Sequence, residues 1–236
     1  MKTTLIFLLL LPVMAVADRA RDLGIPFDGT PGEFNAITDV DGVRVGFETL
    51  VEDLEDGTAV RTGVTALLPR GADTNAMPVF GGWFSLNGNG EMTGTTWVEE
   101  SGFIEGPIMI TNTHSVGAVH EGTIRWRYEN GAADSSGYWW SLPVIAETWD
   151  GYLNDINGFH VRPEHAGAAI ESATAGAVME GNVGGGTGMV CFEYKCGTGT
   201  SSRVTAVAGE DYTVGVLVQA NFGRRNDLLV AGVPVG

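Results

Sequence analysis

The chain has 236 residues, 44% of them hydrophobic, and carries 29 acidic against 13 basic side chains, a formal net charge of −16. Binding to nucleic acid or to an anionic membrane surface draws on clustered Lys and Arg, so this balance excludes both as principal partners. The acids are scattered rather than run together and 35 glycines punctuate the sequence. That is the pattern of a compact, sheet-rich domain with tight turns, not of a disordered acidic tail.

Lys2 precedes an apolar run over residues 5–16 that closes on Ala15-Val-Ala17, a small-x-small cleavage pattern. The run is shorter than the roughly 20 residues a membrane helix needs. Residues 1–17 therefore read as a secretory signal, and residues 18–236 as one domain, secreted or periplasmic, with no membrane segment. Residues 19–34 are Pro/Gly-rich and predict an extended arm. Residues 35–49 alternate through Ile37, Val40, Val43 and Val45 about Asp41-Gly42, which predicts a hairpin. A strand over 61–68 is stopped by Pro69-Arg-Gly71, and a strand-like stretch over 77–86 ends at the turn Asn87-Gly-Asn-Gly90. Residues 93–101 form a short helix with Gly102 as its stop. Residues 107–112 read as a buried strand, 115–128 as a helix turning Val116, Val119, Ile124 and Trp126 to the core, and 142–146 as a further strand. The helix over 163–175 has Pro163 in its first turn, Glu164 at its positive end, alanines on one face and Gly176 beyond it. Strands follow at 189–194, at 213–220 (apolar on both faces, hence expected inside a sheet) and at 228–233. Strands mixed with helices, without a repeat or linker, predict a single α/β or α+β sandwich with helices layered on a sheet.

Among residues that carry chemistry, Gly184-Gly-Gly-Thr-Gly188 lacks the Lys-Ser/Thr of a phosphate loop and is followed by a strand rather than a helix. It is either a structural turn or the lining of a cleft. Asn221, at the end of the late strand, is either a turn former or an N–H donor for an oxyanion, a donor of that kind being worth about 3 kcal/mol. Glu147, in Glu147-Thr-Trp149-Asp-Gly-Tyr152, is either a loop acid or the partner of a substrate ammonium. Trp139 and Trp140 belong either to the core or to a pocket. In Thr111-Asn-Thr-His-Ser115 the adjacent His and Ser point apart on an extended strand, and no G-x-S-x-G or S-x-x-K is present, so the chain offers no nucleophile. Cys191 and Cys196 are either a local disulfide or two thiols. With no second Cys pair and dispersed histidines, no metal site or cofactor is expected.

Taken together, several segments carry a resemblance. They are Ala20-Arg-Asp-Leu-Gly-Ile-Pro-Phe-Asp-Gly-Thr-Pro-Gly32, Thr111-Asn-Thr-His-Ser-Val-Gly117, Leu142-Pro-Val-Ile-Ala-Glu-Thr-Trp-Asp-Gly151, Leu153-Asn-Asp-Ile-Asn-Gly-Phe-His160, Gly181-Asn-Val-Gly-Gly-Gly-Thr-Gly-Met189 and Val216-Leu-Val-Gln-Ala-Asn-Phe-Gly-Arg224. In this order they are similar to the self-processing serine aminopeptidases that include the L-aminopeptidase/D-amidase/esterase and the β-peptidyl aminopeptidases. The resemblance implies a four-layer αββα sandwich like that of N-terminal-nucleophile hydrolases, made as a precursor that cuts itself into an α and a β chain. It implies that the serine exposed by the cut is the nucleophile, that Asn221 holds the oxyanion, that Glu147 grips the substrate amine and that Trp140 is pocket wall. Trp149 stands where some members have an orienting tyrosine, and it has no hydroxyl. Gly236 falls before the position of the serine, so the sequence reads as the α portion, incomplete and inactive without its β chain. The expected whole is an oligomer of αβ units acting on small peptides, amides or esters. An amino-acid acetyltransferase of similar architecture, with a threonine nucleophile, and a non-catalytic secreted peptide-binding module are the alternatives.

Overall fold

A computed structural model describes residues 19–236; the signal reading of residues 1–17 lies outside them. Its centre is a four-stranded sheet of β1 (Arg44–Asp53), β2 (Ala59–Leu68), β3 (Ile108–Asn112) and β4 (Val144–Thr148), adjacent in that order. The first two pairings are antiparallel; β3 and β4 are parallel, with Thr111 opposite Glu147 and Asn112 opposite Thr148. A parallel pair needs a crossover. Helix α2 (Val116–Glu129) lies in that connection, and the short helix α1 (Thr95–Ser101) precedes β3. Helix α3 (Pro163–Glu171) packs beside α2 on the same face.

Side-chain alternation along β2 assigns the two faces of the sheet. Val64, Ala66 and Leu68 point to the helices and join Met109, Ile145, Val119, Ala166, Ala169 and Ile170 in the core. Met109, Ile145 and Val64 are fully buried, and each such side chain contributes roughly 1.5–3 kcal/mol by leaving water. On the opposite face Thr65 receives the Gly185 N–H on its Oγ1 at 3.1 Å. The buried turn Gly184–Gly186 is thus wedged against the sheet, and a Cβ on Gly185 would meet Gln219 Oε1 at 2.6 Å and Ile110 O at 2.8 Å. Beyond the wedge stands a second, two-stranded sheet of β5 (Thr198–Val207) and β6 (Glu210–Gln219). The layer sequence is helices, sheet, glycine wedge, sheet.

Several elements differ from the sequence reading. Residues 35–49 do not form a hairpin: Ile37–Asp39 is a 3-10 turn and β1 begins only at Arg44, pairing with β2. In the 77–86 stretch only Val79–Phe80 pairs, with Phe103–Ile104. Helix α3 stops at Glu171 because Thr174 peels away to bridge Val45 through backbone bonds in both directions. The 189–194 strand is a tight hairpin, Val190–Cys191 against Tyr194–Lys195, closed by a Cys191–Cys196 disulfide. Strand β6 is not sealed on both faces: Val214, Val216 and Val218 are 54%, 47% and 46% exposed. That face is bordered by the N-terminal arm, whose Arg19, Arg21 and Phe27 line a cavity with Val216 and Val218; among the described residues no helix is long and apolar enough to cross a membrane.

Candidate active site

The parallel strands β3 and β4 end side by side, and the site forms just past them. Glu147 is half-buried; its Oε2 accepts the Thr113 hydroxyl and its Oε1 the Glu91 N–H at 3.3 Å. Glu91 follows the Asn87–Gly90 turn, so that turn, read from sequence only as a strand stop, becomes a wall. Together with Thr113, Thr148, Trp149 and Asn221 it encloses a cavity of about 670 Å³. Glu91 and Glu147 are the charged residues lining it, with no Lys, Arg or His, so the cavity favours a cation.

Asn221 reaches this cavity through two cross-layer links at the end of β6. Gln219 Nε2 donates to Thr148 Oγ1 at 2.5 Å, and the Trp149 N–H donates to Asn221 Oδ1 at 3.2 Å. Gln219 and Asn221 are two apart on an extended chain, which puts both side chains on one face. Asn221 Nδ2 in turn donates to the Val190 carbonyl at 3.2 Å. All these partners are remote in sequence, so Asn221 is not closing a turn of its own segment. A carboxamide has two N–H groups. Val190 takes one, and the other has no acceptor among the described residues. The amide plane is therefore fixed at both ends with one donor free.

Trp149 lines the same cavity and is half-exposed. Trp140 does not line it: its indole stands edge-on to Trp97 with centroids 5.2 Å apart, and it is 51% exposed. Trp139 lies 5.7 Å from the buried Arg127 guanidinium, which also donates to Ser141 Oγ at 2.6 Å and to the Glu105 carbonyl at 3.2 Å, tying down the segment that leads into β4. His114 stacks on Phe159 and makes no hydrogen bond to the buried Ser115, in keeping with the absence of a Ser/His pair. The glycine turn is packing, not lining.

Sequence reasoning missed Thr113, Gln219 and Asp150. Asp150, directly after Trp149, is fully buried; Asn154 Nδ2 donates to its Oδ1 at 3.1 Å while Oδ2 has no partner. Burial pushes its carboxyl above the ordinary 3.8, opposed by the nearby polar groups of Thr62, Asn154 and Asn112, of which Asn154 makes a direct hydrogen bond to it. The signal for Gln219 was available as the period-two neighbour of Asn221. For Asp150 there was none, because a buried acid and a loop acid look alike in sequence.

Comparison with known proteins adds the following. Residues 35–236 match peptidase family S58. The chain is 58% identical over 229 residues to a β-peptidyl aminopeptidase (BapA) of Sphingosinicella microcystinivorans, covering 94% of this chain and 56% of that protein. It is 49% identical over 224 residues to the BapA of Sphingosinicella xenopeptidilytica, with 92% and 55% covered. The solved structure of the L-aminopeptidase D-Ala-esterase/amidase from Ochrobactrum anthropi, described as a variant of the Ntn-hydrolase fold, superposes with a TM-score of 0.88 at 50% identity, covering 92% of this chain and 61% of that one. The chain thus spans just over half the length of the curated relatives it matches.

Proposed function

The chain belongs to peptidase family S58 and shares the Ntn-hydrolase architecture of its structural relatives, and from that premise we propose that it forms the α part of an exported serine aminopeptidase or amidase. The substrate is a small peptide, amide or ester with a free amino terminus. Its ammonium pairs with Glu147 in the acidic cavity, a charge-assisted contact strengthened by partial burial. Its carbonyl lies against Asn221. A serine hydroxyl from a segment outside residues 1–236, exposed by self-cleavage, adds to the carbonyl carbon. The serine's proton passes to the amine of its own new terminus, or a neighbouring group, while the oxyanion accepts the free N–H of Asn221; collapse delivers that proton to the departing amine or alcohol and leaves an acyl-serine, which water hydrolyses. Trp149 contributes apolar wall and an indole N–H, with no hydroxyl to orient the carbonyl. Alone the chain is inactive. Export is supported by the Lys2 to Ala17 pattern and by the Cys191–Cys196 disulfide, a bond that persists in oxidising compartments. The active species is an oligomer of αβ units.

The observation that carries the catalytic reading is that Glu147 and Asn221, far apart in sequence, line one cavity, with Asn221 oriented by the strand end that bears Glu147. The test is to produce the chain together with the remaining segment of its relatives' length and assay aminoacyl p-nitroanilides. Hydrolysis is expected from the assembled species, and Asn221→Ala should lower kcat by about 10²–10³-fold. An assembled, folded enzyme without turnover would reject the assignment, and an unchanged kcat would remove Asn221 from it.

A further inference from the structure

The disulfide hairpin grips the segment around Asn221 from several sides. Val190, whose carbonyl takes one Asn221 N–H, directly precedes Cys191. Inside the closed loop the Phe192 N–H donates to the Phe222 carbonyl at 2.8 Å, and the two rings meet edge-on at 5.0 Å. Gly223 accommodates that ring, since a Cβ there would sit 2.6 Å from it. Past the loop, Gly197 accepts the Ala220 N–H at 3.0 Å. Arg225 lies 4.5 Å over the Tyr194 ring and donates to the Glu193 carbonyl at 3.0 Å. Residues 220, 221, 222 and 225 are thus all held by residues 190–197.

The hairpin that does the gripping is not one its sequence favours. Its two turn residues, Phe192 and Glu193, have φ of 50° and 60°. Two-residue turns of that kind ordinarily use Asn or Gly, which tolerate the left-handed region. The covalent link across the turn opposes that preference. We propose that the Cys191–Cys196 disulfide is a positioning element for the Asn221 carboxamide: opening it lets the Val190 carbonyl drift and slows the chemical step while leaving the Glu147 anchor intact. This rests on the oxyanion role given to Asn221 above.

The test uses the enzyme assembled from this chain and the remaining segment. It is reduced with a mild phosphine, its thiols are counted, and aminoacyl p-nitroanilide hydrolysis is followed beside the Cys191→Ser/Cys196→Ser variant. Both treatments are repeated in an Asn221→Ala background. Opening the disulfide is expected to lower kcat by about tenfold to a hundredfold, the scale of a misplaced catalytic group, with KM unchanged within about twofold. In the Asn221→Ala background it should cause no further loss, and reoxidation should restore the reduced wild type. An unchanged kcat after both thiols titrate overturns the proposal. So do equal fractional losses in the two backgrounds, which is what simple unfolding would give. If Asn221→Ala alone leaves kcat untouched, the oxyanion assignment fails and this inference with it. If Asn221→Ala lowers kcat and reduction does not, only the role of the disulfide is refuted.

Discussion

The two sheets handle their apolar side chains in opposite ways. On the helix side of β1–β4, alternation delivers Val64, Ala66, Met109 and Ile145 to a face sealed by α2 and α3, and none is exposed. On the outer face of β6 the same alternation delivers Val214, Val216 and Val218, each about half exposed. Period-two patterning specifies which side chains share a face; it does not supply the layer that covers them. The first sheet is sealed on its apolar face and the second is open on its own, and the cleft lies at the boundary between them.

The largest effect that could break this contrast is in the sealed core. Met109→Ala should cost about 2–5 kcal/mol in the chain alone, whereas Val216→Ala should cost under about 1 kcal/mol, both read from urea melts. Equal costs would mean that the hairpin face is already packed. Next in size, Glu147→Gln should raise KM for free-amine substrates by roughly tenfold or more, as expected when a charge-assisted bond becomes neutral, with N-acylated analogues unaffected and folding stability nearly unchanged. Parallel losses for both substrate types would remove the ammonium anchor.

The smallest effect concerns Asp150, beneath the cleft. Its folded carboxyl holds a proton more tightly than the unfolded one, so its contribution is most favourable below the ordinary 3.8, declines as pH rises towards the raised folded value, and is flat above it. The difference in Tm between Asp150→Asn and the wild type should therefore grow in favour of the variant across that interval. A difference independent of pH would show that the buried carboxyl is not perturbed.

The contrast also explains what was legible. β2, β3, β4, α1 and α2 sit against apolar neighbours and were read from hydrophobic spacing, with Gly102 marking the end of α1. Strand β5 was missed because its alternation is written in hydroxyls: Thr198, Thr200 and Ser202 are buried, and a search for apolar periodicity passes over them. The hairpin at residues 190–195 was read as one strand because Phe192-Glu193 carries no Gly or Asn to announce a turn. Glu147 and Asn221 were identified as residues, but their union depends on Gln219–Thr148 and Trp149–Asn221 contacts between layers, which no local pattern encodes. Trp140, expected as pocket wall, is not among the residues lining this cavity; its half-exposed indole stands edge-on to Trp97.

The hydroxyl ladder of β5 has a consequence for the timing of biogenesis. Ser202 Oγ takes the Gly32 N–H at 2.9 Å and gives its own proton to Asp39; Thr200 Oγ1 takes the Ile37 N–H at 2.7 Å; the Val204 N–H reaches Thr30 at 2.8 Å. The beginning of the described chain is therefore stitched to a stretch some 160 residues downstream. At translation speeds of roughly 5–20 residues per second, the arm stays unsewn for on the order of ten seconds or more after the ribosome has made it. Until then it is a free lace, fastened only once the hydroxyl-bearing strand has been made.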